Sequence, residues 1–446
     1  MPSLFKSTLL TVLLLIGIAS PALCGTVTEL KYGSGPIRSI TKIQNGTLIG
    51  GRSSGHEIEV WGSTDNGSNW SRRGTVASNA NINYGDVMFM AVPNTTIVYC
   101  AFREFNANNQ YAVVVCRSDD GGVNWVYDST VIAGCTQFVG APWLFIADNG
   151  DMQCYYDSEP LATQNGVNGA QWIAMQGRNG RTGEWNKYGV VAASRDANAS
   201  KFIRDGMASV VGLGSNRIMV VTEGIEDTRS GGVYANVVRA IQSFDGGVTW
   251  DYAGRRIVYQ CGFDSNTGRR YNAYCPMAIR VGNGPVGVVF CTDEDFGGTP
   301  DLSSENVTVR RTHIKYIRTL DNFETWGQKE DFWTAGNQAY APGMIEIASN
   351  EVLVTIDHFA GHQRFLQYSA LKSSLPDHPS GQWEGFKVYA DNGCIKIQGA
   401  EGRVTVTSLI GQTIATSEGN EITIPVTQPG VYMVRTNQTT RKVLVP

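Results

Sequence analysis

Ser63-Thr64-Asp65-Asn66-Gly67-Ser68-Asn69-Trp70, Ser118-Asp119-Asp120-Gly121-Gly122-Val123-Asn124-Trp125 and Ser243-Phe244-Asp245-Gly246-Gly247-Val248-Thr249-Trp250 share the pattern S-x-D-x-G-x-x-W. Agreement at four fixed positions in three places marks an internal repeat, and a repeat governs how the rest of the chain is read. The chemistry is that of a turn. Ser and Asp side chains bond nearby main-chain amides, Gly supplies a positive φ, and Trp packs the returning strand onto the hairpin. The three aspartates therefore read as structural, not catalytic.

Weaker copies appear once the spacing is known. Thr319-Leu320-Asp321-Asn322-Phe323-Glu324-Thr325-Trp326 is one, and Gly-rich stretches ending at Trp185 and Trp383 are two more. The tryptophans at 70, 125, 185, 250, 326 and 383 are 55, 60, 65, 76 and 57 residues apart, so six units are expected. In the second unit, Val87–Val92, Thr96–Ala101, Tyr111–Cys116 and the segment from Trp125 read as four short strands punctuated by Asn and Gly. No helical periodicity competes over a comparable length. Four strands per unit, six times over, predict an all-β fold, a six-bladed β-propeller spanning 25–390.

Residues 391–446 have a different texture. Asp391–Ile397, Gly402–Ile414, Ile422–Pro425 and Gly430–Thr436 alternate as half-buried strands, which predicts a small C-terminal β-sandwich.

Composition narrows the function classes. Of 446 residues, 42% are hydrophobic and 17% charged, with 51 Gly, which excludes a disordered, collagen-like or coiled-coil chain. A net charge of −4 and no run of Lys or Arg leave nothing for a phosphate backbone, so nucleic acid is not an expected partner. Lys6, the apolar run Leu9–Ala19 and the small-residue exit at Pro21–Gly25 have the layout of a secretory signal peptide over 1–24. A secreted or cell-surface protein is expected, and a monomer. Eight cysteines then remain. Symmetry about turns suggests Cys100 with Cys116 and Cys261 with Cys275, although eight cysteines allow 105 pairings. His358 and His362 are four apart, but Gly361 between them argues for a loop over a metal-bearing helix, and no EF-hand loop occurs. No organic cofactor and no metal-bearing site are expected, and a structural Ca²⁺ is left open.

The S-x-D-x-G-x-x-W turn resembles the Asp-box, or BNR repeat, of the sialidase-like superfamily over roughly residues 30–390. That resemblance implies that the first strand of each blade runs along the central axis. Functional loops then lie before strand one and after strand two. The first set is Gly35–Arg38, Tyr84–Asp86, Gly140–Trp143, Arg204–Met207, Tyr274–Pro276 and Tyr340–Pro342. The second is Gly51-Arg52, Arg103-Glu104, Tyr155–Glu159, Glu223–Asp227, Asp293–Asp295 and Asp357-His358. The axial mouth is thus rich in carboxylates, arginines and tyrosines.

Glu159 and Glu223 close the second strands of neighbouring units, which could bring two carboxyls across one pocket. A retaining glycosidase needs such a pair about 5–5.5 Å apart. Asp157 lies on the same strand side as Glu159. The stretches GAPWLFIADNGDMQCYYDSE and RDGMASVVGLGSNRIMVVTEG are similar to the exo-1,5-α-L-arabinanase family. This resemblance implies Glu159 as acid/base, Glu223 as nucleophile and Tyr340 as the tyrosine near it. Trp143, Tyr274 and Tyr340 are expected to stack on sugar, with Arg52, Asp86, Arg103, Arg204 and Asp205 binding the substrate.

Two other readings stand beside this one. An exo-sialidase would use Tyr340 with Glu223, and the guanidiniums of Arg38, Arg52, Arg103 and Arg204 for a carboxylate, but Gly35-Pro36-Ile37-Arg38 departs from the sialidase motif around its first arginine. A propeller that only binds glycan would keep the same loops without turnover. The C-terminal run VTVTSLIGQTIATSEGNEITIPVTQPGVYMVRTNQTTRKVLV resembles the sorting domain of the bacterial type IX secretion system, which implies that secretion machinery is a partner.

Overall fold

The computed structural model describes residues 26–194, 204–228, 234–296 except 267, 269 and 283, 311–319, 323–334, 339–349, 351–357 and 363–369, and towards the C-terminus 387–391, 394–400, 402–408, 412–426, 430–436 and 440–445. The signal-peptide region, His358, His362 and Trp383 lie outside these residues. Two compact units are present, Met1–Lys372 and Ser373–Pro446.

Among the described residues, the first unit holds six four-stranded antiparallel sheets, arranged as the blades of a β-propeller. Their first strands are Ile40–Lys42, Ile82–Ala91, Val139–Ile146, Asp205–Gly214, Ala273–Arg280 and Tyr340–Ala348. Each packs on the next in this order, and the sixth packs on the first. In the second sheet the strands are Ile82–Ala91, Val98–Asn106, Tyr111–Ser118 and Val126–Cys135, within a few residues of the sequence expectation.

The repeated turns sit between third and fourth strands and behave as their residues predict. Ser118 Oγ donates to Asp120 Oδ1 (2.8 Å) and accepts the Gly122 N–H (2.9 Å), while Asp120 Oδ1 accepts the Asn124 N–H (2.9 Å). The same bonds recur in the Ser63 and Ser243 turns. The Asn124 amide hydrogen bond is the main cause that holds the Asp120 carboxyl down at about 2. Each turn also packs on the neighbouring sheet. A Cβ on Gly67 would come within 2.6 Å of Leu353 in the sixth sheet, and Trp70 stacks on Phe365 there with centroids 5.4 Å apart.

The sixth sheet differs from the unit-by-unit expectation. Its fourth strand is not the one after its own turn but the N-terminal strand Thr26–Gly33, paired with Gln363–Ser369. The two ends of the repeat array are thereby joined by a hydrogen-bond ladder, which local propensity at either end cannot reveal.

The expected disulfides are also corrected. Cys100 and Cys116 are register partners on adjacent strands, yet the eight cysteines from Cys100 to Cys394 are free thiols. Cys261 is not bonded to Cys275. Its Sγ lies 3.2 Å from Thr292 Oγ1, and the Cys275 thiol meets Cys291 instead.

The C-terminal unit is a β-sandwich of a three-stranded and a four-stranded sheet around Ile395, Ile397, Val404, Val406, Ile424, Val434 and Val443. Its strand Lys387–Asp391 begins on the propeller side of the boundary expected at 390 and pairs with Cys394–Gln398.

Candidate active site

Five first strands each carry one left-handed non-glycine residue, Asp86, Ala141, Met207, Cys275 and Ala341, and Arg38 stands two residues before the remaining one, all with φ between 39° and 55°. In the five longer first strands the ladder register shifts there, as a β-bulge does. Such a conformation costs on the order of 1–3 kcal/mol per residue and persists where the surroundings fix it. Here the fixing groups come from the preceding sheet. The Ala141 N–H donates to Asp86 Oδ2 (3.2 Å), Met207 to Asp157 Oδ1 (3.0 Å) and Cys275 to Glu223 Oε2 (2.7 Å), while the Ala341 N–H is aimed at the Cys291 thiol.

The ladder explains this regularity. Arg103, Asp157, Glu223, Cys291 and Asp357 all stand on second strands opposite the residue just before a left-handed one. Five second strands thus present one side chain each at an equivalent level. Sequence reasoning singled out the segments without seeing this equivalence, because the bulge that creates it depends on pairing between strands.

At the centre of the arrangement Arg204 Nη2 lies 2.6 Å from Glu223 Oε1. Glu223 is buried, and its two oxygens are held by Arg204 and the Cys275 amide. Asp157 is buried beside them, accepting Gln171 Nε2 (2.8 Å) and the Met207 N–H. Burial pushes the Asp157 carboxyl well above the usual range. Arg204 opposes that rise, while the Glu223 and Asp86 charges add to it. Burial acts against the Arg204 charge, but Glu223, Asp157, Cys275 and Tyr340 outweigh it and hold the guanidinium more firmly protonated. Tyr340, half-buried, has its ring 6.1 Å from that of Tyr274.

The other expected residues fall into two groups. Near the mouth, Arg103 Nε bonds Asp86 Oδ2 (3.0 Å), Arg52 Nε bonds Glu59 Oε2 (2.8 Å), and Arg38 Nη2 donates to the Pro276 carbonyl (2.7 Å). Glu159 opens the short helix Glu159–Gln164, and its Oε2 accepts the Phe138 N–H (3.1 Å). Further in, Asp205 is fully buried, meeting the Ser194 amide, the Tyr252 hydroxyl and Arg239. Trp143 and Tyr274 are core side chains, 8% and 4% exposed, and so offer little open face to a sugar. A separate groove of about 790 Å³, lined by Arg256, Tyr259, Trp326 and Lys329 among others, shares none of these residues.

No protein-family model matches the chain, and no curated protein matches it. Solved structures do. An α-L-arabinanase of Penicillium chrysogenum complexed with arabinobiose is similar at 16% identity, with a TM-score of 0.54 over 77% of this chain and 97% of that one. The GH93 α-L-arabinofuranosidase of Fusarium graminearum, also with arabinobiose, aligns at 16% identity and 0.53 over 77% and 97%. A protein of unknown function from Dyadobacter fermentans aligns at 14% and 0.54 over 77% and 99%. The shared property is the fold. Glycoside hydrolases thus occur among the proteins built on this propeller, and fold alone does not transfer their chemistry.

Proposed function

We propose that the protein is a secreted, exo-acting glycoside hydrolase that takes neutral, arabinan-type oligosaccharides by a retaining mechanism. The observation that carries the reading is the internal neutralisation of the mouth. Arg52, Arg103 and Arg204 each bond a carboxylate of the protein, and Arg38 bonds main-chain carbonyls. An anionic sugar would have to displace those partners, whereas a neutral sugar needs only hydroxyl contacts. This disfavours the sialidase reading, which requires guanidiniums aimed at a substrate carboxylate.

In the proposed reaction Glu223 attacks the anomeric carbon. A Glu223–carbon bond forms as the glycosidic carbon–oxygen bond breaks, and Glu159 gives its proton to the leaving oxygen. Water then attacks the same carbon, Glu159 takes the water's proton, and Glu223 leaves as a carboxylate. Arg204 steadies the Glu223 carboxylate before attack and again as it is released, and Tyr340 stands near that pair. Arg103 and Asp86 face the sugar hydroxyls. The neighbours' arabinobiose complexes make arabinan fragments the first substrates to try. The C-terminal sandwich serves as the sorting signal that directs the chain outward, and its deletion would keep the protein inside the cell.

Product analysis with linear α-1,5-arabino-oligosaccharides and, separately, a sialyl-oligosaccharide tests the reading. Release of a short arabinose product supports it. Free sialic acid would move the chemistry to Tyr340 and the arginines, and binding without any release would make the protein a glycan-binding propeller.

A further inference from the structure

Gly206 is the register partner of Glu223, and its bare face is where three side chains converge. A Cβ at this position would lie 2.5 Å from Arg204 Nη2, 2.7 Å from Gln171 Nε2 and 3.2 Å from Asp157 Oδ2. The three come from separate parts of the chain. Asp157 is the penultimate residue of the third sheet's second strand, Gln171 precedes that sheet's third strand, and Arg204 leads into the fourth sheet.

The bonds among them fix the backbone around Gly206. Gln171 Nε2 donates to Asp157 Oδ2 (2.8 Å) and to the Asp205 carbonyl (3.1 Å), and the Gln171 carbonyl accepts the Asp205 N–H (2.9 Å). On the other side Asp157 accepts the N–H of left-handed Met207 (3.0 Å). The segment carrying Arg204 is therefore tied on both flanks of Gly206, and Asp157 takes part in both ties. The Arg204 side chain is 26% exposed, and its Nη2 already meets Glu223 at 2.6 Å, so small shifts of this segment re-aim the guanidinium.

We propose that Asp157 is a positioning residue that sets the place of Arg204 and, through it, of Glu223, with Gly206 providing the space in which Asp157, Gln171 and Arg204 meet. This rests on the reading of Glu223 as the nucleophile. No contact of Asp157 with substrate is required, in keeping with its burial.

The test is steady-state kinetics on an α-1,5-arabino-oligosaccharide for Asp157→Asn, Gly206→Ala, Arg204→Ala and the Asp157→Asn/Arg204→Ala double variant. Crystal structures of the first two are solved alongside. Asp157→Asn keeps the side chain's size and an oxygen for the Met207 amide, but sets an NH₂ against Gln171. The expected result is a loss of about tenfold or more in kcat with KM within about twofold, and no further loss in the double variant beyond Arg204→Ala. Gly206→Ala should show the same split without altering any charge, which decides the matter should Asp157→Asn not fold. Wild-type kcat in the folded variants, losses that multiply in the double variant, or an unmoved Arg204–Glu223 contact in the crystals would each overturn the proposal. Glu223→Gln is run in parallel. Wild-type turnover in that variant would overturn the nucleophile assignment itself, whatever Asp157→Asn does.

Discussion

Glu223 accepts the main-chain N–H of Cys275, a residue of the next sheet, at 2.7 Å through Oε2, while its Oε1 meets Arg204 at 2.6 Å. One carboxylate therefore both braces a strained bulge and carries the charge proposed to act on substrate. The two roles separate on substitution. Glutamine keeps one acceptor oxygen for the Cys275 amide and loses the charge. Glu223→Gln is expected to fold, with a melting temperature within a few degrees of wild type, and to lose on the order of 10³-fold or more in kcat. Thermal scans and single-turnover kinetics on the same preparation check both halves.

Closure of the repeat array should be measurable through two glycines. Gly67 and Gly46 have φ of 91° and 84°, so alanine is strained at both. Only at Gly67 would the new Cβ strike a neighbour, Leu353 of the sixth sheet, at 2.6 Å, while Gly46 has nothing within 4 Å. Gly67→Ala should destabilise by about 1–3 kcal/mol more than Gly46→Ala, read as a difference in denaturation midpoints.

The N-terminal strand gives a second test of closure. Thr26–Gly33 supplies the fourth strand of the sixth sheet, with seven register partners in Gln363–Ser369. A mature chain lacking residues 26–33 should lose cooperative unfolding or unfold at a markedly lower temperature. A peptide of that sequence added in trans should restore part of the loss.

The repeated S-x-D-x-G-x-x-W turns carry an acid-sensitive contribution to stability. The Asp120 carboxyl sits at about 2 in the folded protein, chiefly through the Asn124 amide, against about 3.9 in an unfolded chain. A depressed folded value means the contribution is complete above the unfolded value and is lost as pH falls through the folded one. Asp120→Asn should therefore lower stability at pH 6 and leave a shallower decline between about pH 4 and pH 2, as urea titrations across that range would show.

The fold was legible because it is written in local chemistry. Ser118, Asp120, Gly122 and Trp125 build their turn from bonds within eight residues, so pattern and structure coincide. The N-terminal strand's place in the sixth sheet was not legible, since its register partners lie 330 to 343 residues away. The candidate site divides in the same manner. The segments around Arg204, Glu223 and Tyr340 could be chosen by residue type. That Asp157 takes the position beside Arg204 and Glu223, while Glu159 turns into a helix and bonds Phe138, follows from the strand ending at Ser158. The burial of Trp143, Asp205 and Tyr274 likewise follows from packing, because each residue type would serve equally well in an open cleft.

In the proposed reaction Glu223 forms a covalent bond to the sugar. The mature protein, quenched while turning over an α-1,5-arabino-oligosaccharide, is digested and its peptides are weighed by mass spectrometry. Added glycosyl mass confined to the peptide containing Glu223, with the released product keeping its anomeric configuration, is the predicted result. An adduct on Tyr340, or an inverted product with no adduct at all, would contradict it.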